Sequence, residues 1–472
     1  MEMTFSRRAF LAGASALSLW PADLWAKEAK GGKIPSPRSF LWERPDGTAT
    51  DNVMVRRLYL DLAGRIPSAE EARGYVLSHD PGKREALIAK LLGSEDFIDY
   101  WTMRFCDVLR VKSEFPINLW PNAVYVYHAR IRSFVENNET WEHFGRALLT
   151  SQGSNFRDAE VNFFRATDRR DPEGWAEAAA QTFLGMSPGE LDGEQRGFFT
   201  SCLANVRIKK TREWKEEIVY VEGEDRRKEL CDRIFLQERQ RVADAFAARL
   251  HRWFYGPWSV LQLPRALRMT GLREAVREIV LSPEYARGSV SGGFPARRLD
   301  AEILDDAFCL FGNAKRSYQS PAPEPFSFIP AERSTVCLED GSISSGFLSL
   351  FGRPARDTGL MDERGEDVSA KQRLYLFNSG DIHRKLGRLA MPPRKLACGD
   401  VNPYYKMTAS KRLEEIYWSI LSRPPSEYER KVVNSLWKRR GGGNRKSRAS
   451  YGELMRDVAW CLVNTKEFLF RI

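Results

Sequence analysis

The chain has 472 residues, of which 43% are hydrophobic and 29% are charged, and this composition excludes a wholly disordered protein. Its 73 basic and 63 acidic side chains give a net charge of +10, a mild excess that permits an anionic partner such as an acidic polysaccharide. No segment combines dense Lys and Arg with interleaved aromatic residues, so we expect no nucleic-acid partner.

The N-terminus has the pattern of an export signal. Arg7 and Arg8 precede a short apolar stretch that ends near Trp20, and a small residue follows at Ala26. The paired arginines resemble a twin-arginine signal, and the apolar stretch is shorter than the roughly 20 residues of a membrane-spanning helix. We therefore predict a signal peptide at residues 1–26 and an exported protein, periplasmic or on the cell surface, with no transmembrane segment in the mature chain.

Two distant segments have nearly the same sequence. "LYLDLAGRIPSAEE" covers Leu58–Glu71, and "IYWSILSRPPSEYE" covers Ile416–Glu429. In both, apolar residues at helical spacing lead to an arginine, a proline follows, and Ser-x-x-Glu comes next. Ser-x-x-Glu is a capping box, in which the Ser side chain accepts from a free backbone N–H and the Glu reaches back. Each segment therefore predicts a helical hairpin with a sharp turn.

A second pattern occurs three times, at Ser94–Phe97, Ser282–Tyr285 and Thr465–Phe468. Each time an amphipathic stretch leads to a Ser or Thr, and an aromatic residue follows three positions later. We interpret the hydroxyl residues as helix caps rather than nucleophiles, and we expect each aromatic ring to pack back on the preceding helix. In the middle copy, Pro283 is predicted to begin a new helix.

The remaining sequence predicts a mainly α fold with few short strands. Strand-like runs occur at 216–221 ("EEIVYV") and 334–338 ("STVCL"). We predict an N-terminal helical domain over 27–225 and a C-terminal helical domain over 226–472.

One long segment, 318–367, is rich in Pro, Gly and Ser and is too long for an ordinary connection. Its aromatic residues and alternating charges predict an ordered polar loop. The candidate polar cluster in and after this loop consists of Arg353, Arg356, Asp357, Asp362, Glu363, Arg364, Asn378 and His383.

This cluster has two interpretations. Guanidinium groups suit carboxylate, sulfate or phosphate, and paired carboxyl groups are what glycoside hydrolysis requires. Alternatively, the charges form a buried Arg–Asp/Glu lattice that holds the loop on the helices, since buried polar groups must be paired. We favour the lattice.

The sequence predicts no metal and no cofactor. Seven scattered cysteines include no C-x-x-C pair, and no two of the five histidines have metal-ligand spacing on one helix. Cys309 and Cys461 lie in apolar helical stretches, where we expect buried thiols.

The chain resembles exported proteins of planctomycetes and verrucomicrobia that carry the paired domains of unknown function 1549 and 1553. The resemblance to the first module lies in "RRLYLDLAGRIPSAEEA" and "LIAKLLGSEDFIDYWTMRFCDVLR", and to the second in "FPARRLDAEILDDAF", "SGFLSLFGRPARDTGLMDER" and "SAKQRLYLFNSGDIHRKL". It implies export and architecture but no established reaction. Many relatives of the first module have a C-x-x-C-H-like segment after "FLG". Here the text from Met186 to Glu222 has one cysteine and no histidine, so haem is not expected.

Two classes of function follow. The first is a non-catalytic binding or scaffold protein that presents the loop to an anionic glycan or an exported partner protein. The second is a periplasmic hydrolase of complex polysaccharide that uses carboxyl groups of the same loop. A redox-associated role is a third, weaker possibility. The sequence does not decide whether the protein is an enzyme.

Overall fold

The computed structural model describes residues 43–257, 259, 271–289, 293–391, 407–439 and 447–472. The predicted signal peptide, with Arg7 and Arg8, lies outside the described residues.

The described residues have a mainly α fold, as predicted. They contain twenty α-helices: α1 (Asp51–Leu62), α2 (Ala69–Leu77), α3 (Lys83–Leu92), α4 (Glu95–Val108), α5 (Pro121–Glu136), α6 (Trp141–Thr150), α7 (Asn162–Arg165), α8 (Pro172–Leu184), α9 (Gly193–Leu203), α10 (Arg227–Asp232), α11 (Arg239–Tyr255), α12 (Leu272–Leu281), α13 (Ala301–Gly312), α14 (Gly346–Leu350), α15 (Ala370–Asn378), α16 (Gly380–Ala390), α17 (Ala409–Leu421), α18 (Glu427–Arg439), α19 (Ser447–Val463) and α20 (Lys466–Leu469). In this part of the chain, no helix combines the length and apolar character needed to cross a membrane.

The strands are few and short: β1 (Gly153–Ser154), β2 (Val206–Lys210), β3 (Glu217–Val221), β4 (Arg297–Arg298) and β5 (Phe470–Arg471). β2 and β3 form an antiparallel hairpin, and β1 pairs with the other edge of β3. The predicted strand at 216–221 is therefore confirmed as β3. The two-stranded pair of β4 and β5 places Phe470 and Arg471 against Arg297 and Arg298, just before α13.

The predicted strand at 334–338 is wrong, because these residues form a 3-10 turn at Thr335–Cys337. The cause is the carboxylate of Asp306, which accepts hydrogen bonds from the backbone N–H of Thr335 at 2.8 Å and of Val336 at 3.3 Å. A carboxylate that accepts from two successive backbone N–H groups holds the backbone in a tight turn. In an extended strand, successive N–H groups point in opposite directions and cannot both reach it.

The first hairpin segment has the predicted shape. The side chain of Ser68 caps α2, and Glu71 accepts from the Ser68 backbone N–H at 2.8 Å. Arg65 donates to both carboxylate oxygens of Glu71, at 2.8 and 2.9 Å, and its Nε donates to Asp96 at 2.7 Å. The Arg65 guanidinium also lies 4.8 Å from the ring centroid of Tyr59. The arginine thus joins the hairpin to the start of α4.

The second hairpin segment repeats this arrangement. Ser426 accepts from the Glu429 backbone N–H at 3.2 Å, and Glu429 accepts from that of Ser426 at 2.7 Å. Arg423 donates to both oxygens of Glu429, at 2.8 and 3.0 Å, and also to both oxygens of Glu467, at 2.6 and 2.9 Å. Its guanidinium lies 5.5 Å from the ring centroid of Tyr417. The two segments therefore form the same joint, and the predicted repeat is confirmed.

The three Ser/Thr joints, Ser94–Phe97, Ser282–Tyr285 and Thr465–Phe468, also share one geometry. Each hydroxyl donates to the carbonyl three residues earlier at 2.7 Å. Each also accepts from the backbone N–H of the aromatic residue, at 3.2 to 3.3 Å. All three aromatic side chains are completely buried. That each ring packs back on the preceding helix stays a prediction.

The middle joint differs after its cap. Residues 283–286 form a turn, so the prediction that Pro283 begins a helix is wrong. The carbonyls that would continue a helix are used elsewhere. Arg57 of α1 donates to the carbonyls of Tyr285 and Arg287, and the Ala49 N–H donates to that of Ala286 at 2.9 Å. Contacts with Arg57 of α1 and with Ala49 before it therefore limit this segment to a single turn.

The buried hydrophobic residues form one cluster that extends from Ala49 to Ile472. Arg56 of α1 links the two ends of the chain, since it donates to the carbonyls of Ile420 and Phe468, both at 2.9 Å. The division into domains at residues 225 and 226 stays a prediction.

Six cysteines lie in the described residues, and all six are free thiols. Cys309 and Cys461 are buried in α13 and α19, as expected. Burial raises the pKa of the Cys231 thiol to about 12 and so disfavours its thiolate. Cys398 lies outside the described residues.

Candidate functional site

The helices present a set of carboxylates beneath the polar loop. Asp107 lies in the last turn of α4, while Asp300 and Glu302 lie at the N-terminus of α13, where the helix dipole favours negative charge. Glu302 is 1% exposed and Asp300 8%. Arg104, one turn before Asp107, donates to Asp300 at 2.5 Å. Buried carboxylates require cationic partners, so we expect cations in the polar loop that covers these helices.

Arg364 supplies the central partner. It donates to both oxygens of Glu302, at 2.7 and 3.1 Å, and to Asp107 at 2.7 Å. Burial disfavours the charged form of Asp107, but the charges of Arg364 and Arg356 outweigh it and lower the pKa of Asp107. The cluster therefore stays ionised although it is almost closed to solvent.

Arg356 shares the same carboxylate. Its Nε donates to Asp107 at 2.9 Å, and its Nη1 donates to the carbonyl of Glu339 at 2.7 Å. The residue is 1% exposed and has a φ of 59°, which is uncommon for a residue with a side chain. This backbone strain is maintained by the pairing of the guanidinium.

Arg353 is oriented by backbone carbonyls. It donates to those of Ile343 and Asp340, the latter at 3.2 Å, and lies 3.5 Å from Glu302. Burial and the neighbouring charge of Arg356 lower the pKa of Arg353 to about 10. All three loop arginines are thus buried and paired within the chain, which is the arrangement of the structural lattice.

The loop carboxylates are also engaged. Asp357 pairs with Lys112 of the segment after α4. Glu363 accepts from the backbone N–H groups of Asp357 and Thr358, at 2.7 and 3.1 Å, and closes a small ring within the loop. Asp362 pairs with Arg252, and its side chain is 80% exposed. Of these three carboxylates, Asp362 is the one directed to solvent.

The loop closes against the end of α4. The carbonyl of Thr358 accepts from Arg110 at 2.9 Å and from Gln181 at 2.8 Å. The next residue, Gly359, has a φ of 68°, and a Cβ there would lie 2.6 Å from the carbonyl oxygen of Val108. Only glycine fits this approach without displacement of the backbone.

The arginine lattice does not include Asn378 or His383. Asn378 is exposed at the last residue of α15. The Nε2 atom of His383 lies 3.2 Å from the carbonyl of Phe377, and its ring stacks on Trp460 with centroids 6.0 Å apart. These two predicted site residues therefore lie outside the lattice, Asn378 on α15 and His383 on α16.

The space beside the lattice is small. A cavity of about 20 Å³ lies between α4, α11 and the loop, and its lining includes Arg104, Asp107, Arg252, Met361, Arg364 and Glu366. That volume accommodates about one water molecule and excludes a sugar ring. Among the described residues, no group of three or more His, Cys, Asp or Glu side chains is arranged to hold a metal ion.

A larger cavity, of about 570 Å³, was not predicted from the sequence. It lies between the start of α1, the end of α2 and the start of α3, and its lining includes Arg44, Asp46, Asp51, Tyr75, His79, Asp80, Lys83 and Arg84. Asp51 pairs with Arg44 at 2.7 Å and with Lys83 at 3.0 Å. The cavity is therefore mixed in charge, and no sequence motif marks it.

Comparison with known proteins identifies one part of the chain. Residues 43–189 match the family model PSCyt2, described as a protein of unknown function (DUF1549). The match covers the first hairpin, the first Ser/Thr joint and Asp107. No curated protein shows a significant match to the chain. No solved structure shows one either.

Proposed function

We propose that this chain is an exported, non-catalytic binding or scaffold protein whose partner is an anionic glycan or another exported protein. The observation that best supports its non-catalytic character is the use of the loop charges inside the chain. Arg353, Arg356 and Arg364 are buried in ion pairs and hydrogen bonds, and the adjacent cavity of about 20 Å³ has no room for a substrate.

The hydrolase alternative has less support. Acid-pair hydrolysis needs two carboxyl groups that flank one scissile bond. Asp357 is paired with Lys112, and Glu363 accepts two backbone amides, so both are committed to the fold of the loop. Of the three candidate carboxylates, Asp362 is the one directed to solvent, and one carboxylate does not complete the pair.

Localisation and the second module belong to the same proposal. We propose that Arg7 and Arg8 direct export by the twin-arginine route, on the sequence pattern alone. We also propose that residues 226–472 form a module similar to domain of unknown function 1553 of planctomycete proteins. The quoted sequence stretches support this second proposal, and the family match at residues 43–189 supports the first module of the pair.

The test is a binding and turnover screen on the purified mature chain, residues 27–472. Anionic and neutral glycans are arrayed for retention, exported proteins are tested by pull-down, and reducing ends are assayed for cleavage. We expect retention of an anionic glycan or an exported protein and no release of reducing ends. Cleavage of a glycan that disappears in Asp362→Asn or Glu363→Gln would overturn the proposal, and so would a failure to retain any partner.

Two variants separate the structural role of the loop from binding. Arg356→Ala and Glu363→Ala remove lattice contacts, so we expect a lower melting temperature and unchanged partner affinity in the fraction that remains folded. Arg356→Lys, which keeps the charge, serves where the alanine variant does not fold. Loss of binding with unchanged melting would instead place the partner on these residues.

A further inference from the structure

Three aromatic rings from distant segments meet at the surface. Trp120 precedes α5, Trp214 lies in the turn between β2 and β3, and Phe326 lies in the 318–367 loop. The ring centroids of Trp120 and Trp214 are 6.5 Å apart, and those of Trp120 and Phe326 are 5.4 Å apart. Trp214 is 72% exposed and Phe326 50% exposed. Exposed large apolar side chains that contact one another, rather than lying singly, are a feature of binding surfaces.

A cation lies beside this aromatic surface, which we define by Trp120, Trp214 and Phe326. The Lys215 ammonium lies 5.6 Å from the ring centroids of both tryptophans. Residues 209–215 carry four basic side chains, all of them exposed, and their one acidic side chain, Glu213, lies 3.7 Å from Arg157. The hairpin tip is therefore a positive ridge beside the rings.

The tip has an ordered shape before any ligand arrives. The buried carboxylate of Glu216 accepts from the hydroxyls of Ser154 at 2.5 Å and Thr211 at 2.7 Å. The Thr211 N–H donates to the Glu216 carbonyl at 3.1 Å, and Lys215 has a φ of 65° that turns the chain back into β3. These contacts keep Trp214 directed outward. A preformed surface binds with a smaller loss of conformational entropy than a flexible one.

We propose that the aromatic surface and Lys215 bind a chain of acidic sugars, a uronate or sulfated polysaccharide. This inference rests on the proposed binding function and names its site and ligand class. Each sugar ring offers a C–H face that packs on an aromatic ring and lies beside an anionic group. The anionic group of the sugar binds the cations of the hairpin tip. Opposite charges attract each other strongly at short distance in a partly desolvated site.

The choice of a polysaccharide rests on the combination of exposed rings and cations at this surface. A protein–protein interface concentrates its energy in a central apolar area from which charges are depleted. Here a lysine lies over the two tryptophans, and four bases occupy seven consecutive residues. A repeating anionic polymer with an apolar face at each unit matches that combination.

Isothermal titration of the mature chain, residues 27–472, tests the proposal with dextran sulfate and polygalacturonate, and uncharged dextran is the control. We expect binding of at least one acidic polymer and none of dextran. Trp214→Ala and Lys215→Ala should each weaken it about tenfold, the scale of a moderate hot spot. Higher salt should weaken binding in the wild-type chain, because it screens the cations.

Matched control variants lie on α18, where the chain offers an exposed aromatic and an exposed lysine. Tyr428 is 54% exposed, and the Lys431 side chain is 79% exposed. Tyr428→Ala and Lys431→Ala should leave affinity unchanged. Because Trp214 is mostly exposed, we expect Trp214→Ala to fold as the wild type does, and its melting temperature checks this.

The outcomes separate the inference from the function on which it rests. Acidic-polymer binding that Trp214→Ala and Lys215→Ala leave intact overturns this site but not the binding function. Retention of an acidic protein instead of every polysaccharide overturns the ligand class. Binding of uncharged dextran as strongly as dextran sulfate also overturns it, since the cations would then have no part.

Discussion

Replacement of Arg423 by alanine is the sharpest test of the duplicated joint. The Arg423 side chain is 5% exposed, and its partners Glu429 and Glu467 are 16% and 9% exposed. Its removal leaves two largely buried carboxylates without a cation. Breaking a buried pair from one side costs about 3–5 kcal/mol of unfolding free energy. We therefore expect a loss in that range.

The first copy provides the matched comparison, because its hydrogen bonds have the same geometry in a wetter place. Arg65 is 34% exposed, Glu71 24% and Asp96 43%. Water screens these charges and can solvate the carboxylates once the arginine is absent. Arg65→Ala should therefore cost roughly 1 kcal/mol, the upper part of the range for exposed pairs.

The assay is urea denaturation of the mature chain, followed by tryptophan fluorescence and circular dichroism. The shift in midpoint, at an unchanged denaturant slope, gives the loss of stability for each variant. If the two variants lose similar amounts of unfolding free energy, or Arg65→Ala loses more, burial does not set how much each copy of the joint contributes to stability.

Other changes have equally definite outcomes. Burial disfavours the ionised form of Glu71, but its hydrogen bonds lower its pKa to about 2. Its contribution to stability is therefore complete above about pH 4.5 and is lost as the pH falls through 2. Glu71→Gln should flatten the dependence of the unfolding free energy on pH in that window, measured by urea midpoints. Asp107→Asn leaves two buried guanidinium groups facing a neutral amide and should cost about 3–5 kcal/mol, measured the same way against wild type. Gly359→Ala forces a strained φ and a backbone clash, and the melting temperature should fall by an amount that corresponds to about 1–3 kcal/mol. Replacement of both Arg7 and Arg8 by lysine should leave an unprocessed precursor inside the cell, whereas normal processing on an immunoblot would contradict the twin-arginine prediction.

The parts of the fold that were predictable are those with local causes. A Ser-x-x-Glu capping box is satisfied by hydrogen bonds over three residues, so the residue types at Ser68 and Ser426 suffice to indicate it. Ser369 and Gln372 form a further capping box over three residues at the start of α15. Helical periodicity then places the apolar faces, and a mainly α fold follows.

The rest depends on partners that are distant in sequence. The sequence around Arg364 does not indicate that Glu302 and Asp107 are its partners. For that reason the sequence left two interpretations of the loop cluster. At Thr335, the hydrogen bond from the backbone N–H to the Asp306 carboxylate of α13 outweighs the strand propensity of the segment. The contacts of Trp120 with the rings of Trp214 and Phe326, which belong to two other segments, have no local pattern at all.

Hydrogen exchange of the mature chain with and without dextran sulfate tests the binding account most directly. Bound polymer should slow exchange at 209–216 and in the part of the 318–367 loop around Phe326, while α18 remains unchanged. Slowed exchange confined to the cavity between α1 and α3, or no change at the hairpin tip despite measured binding, would contradict the account.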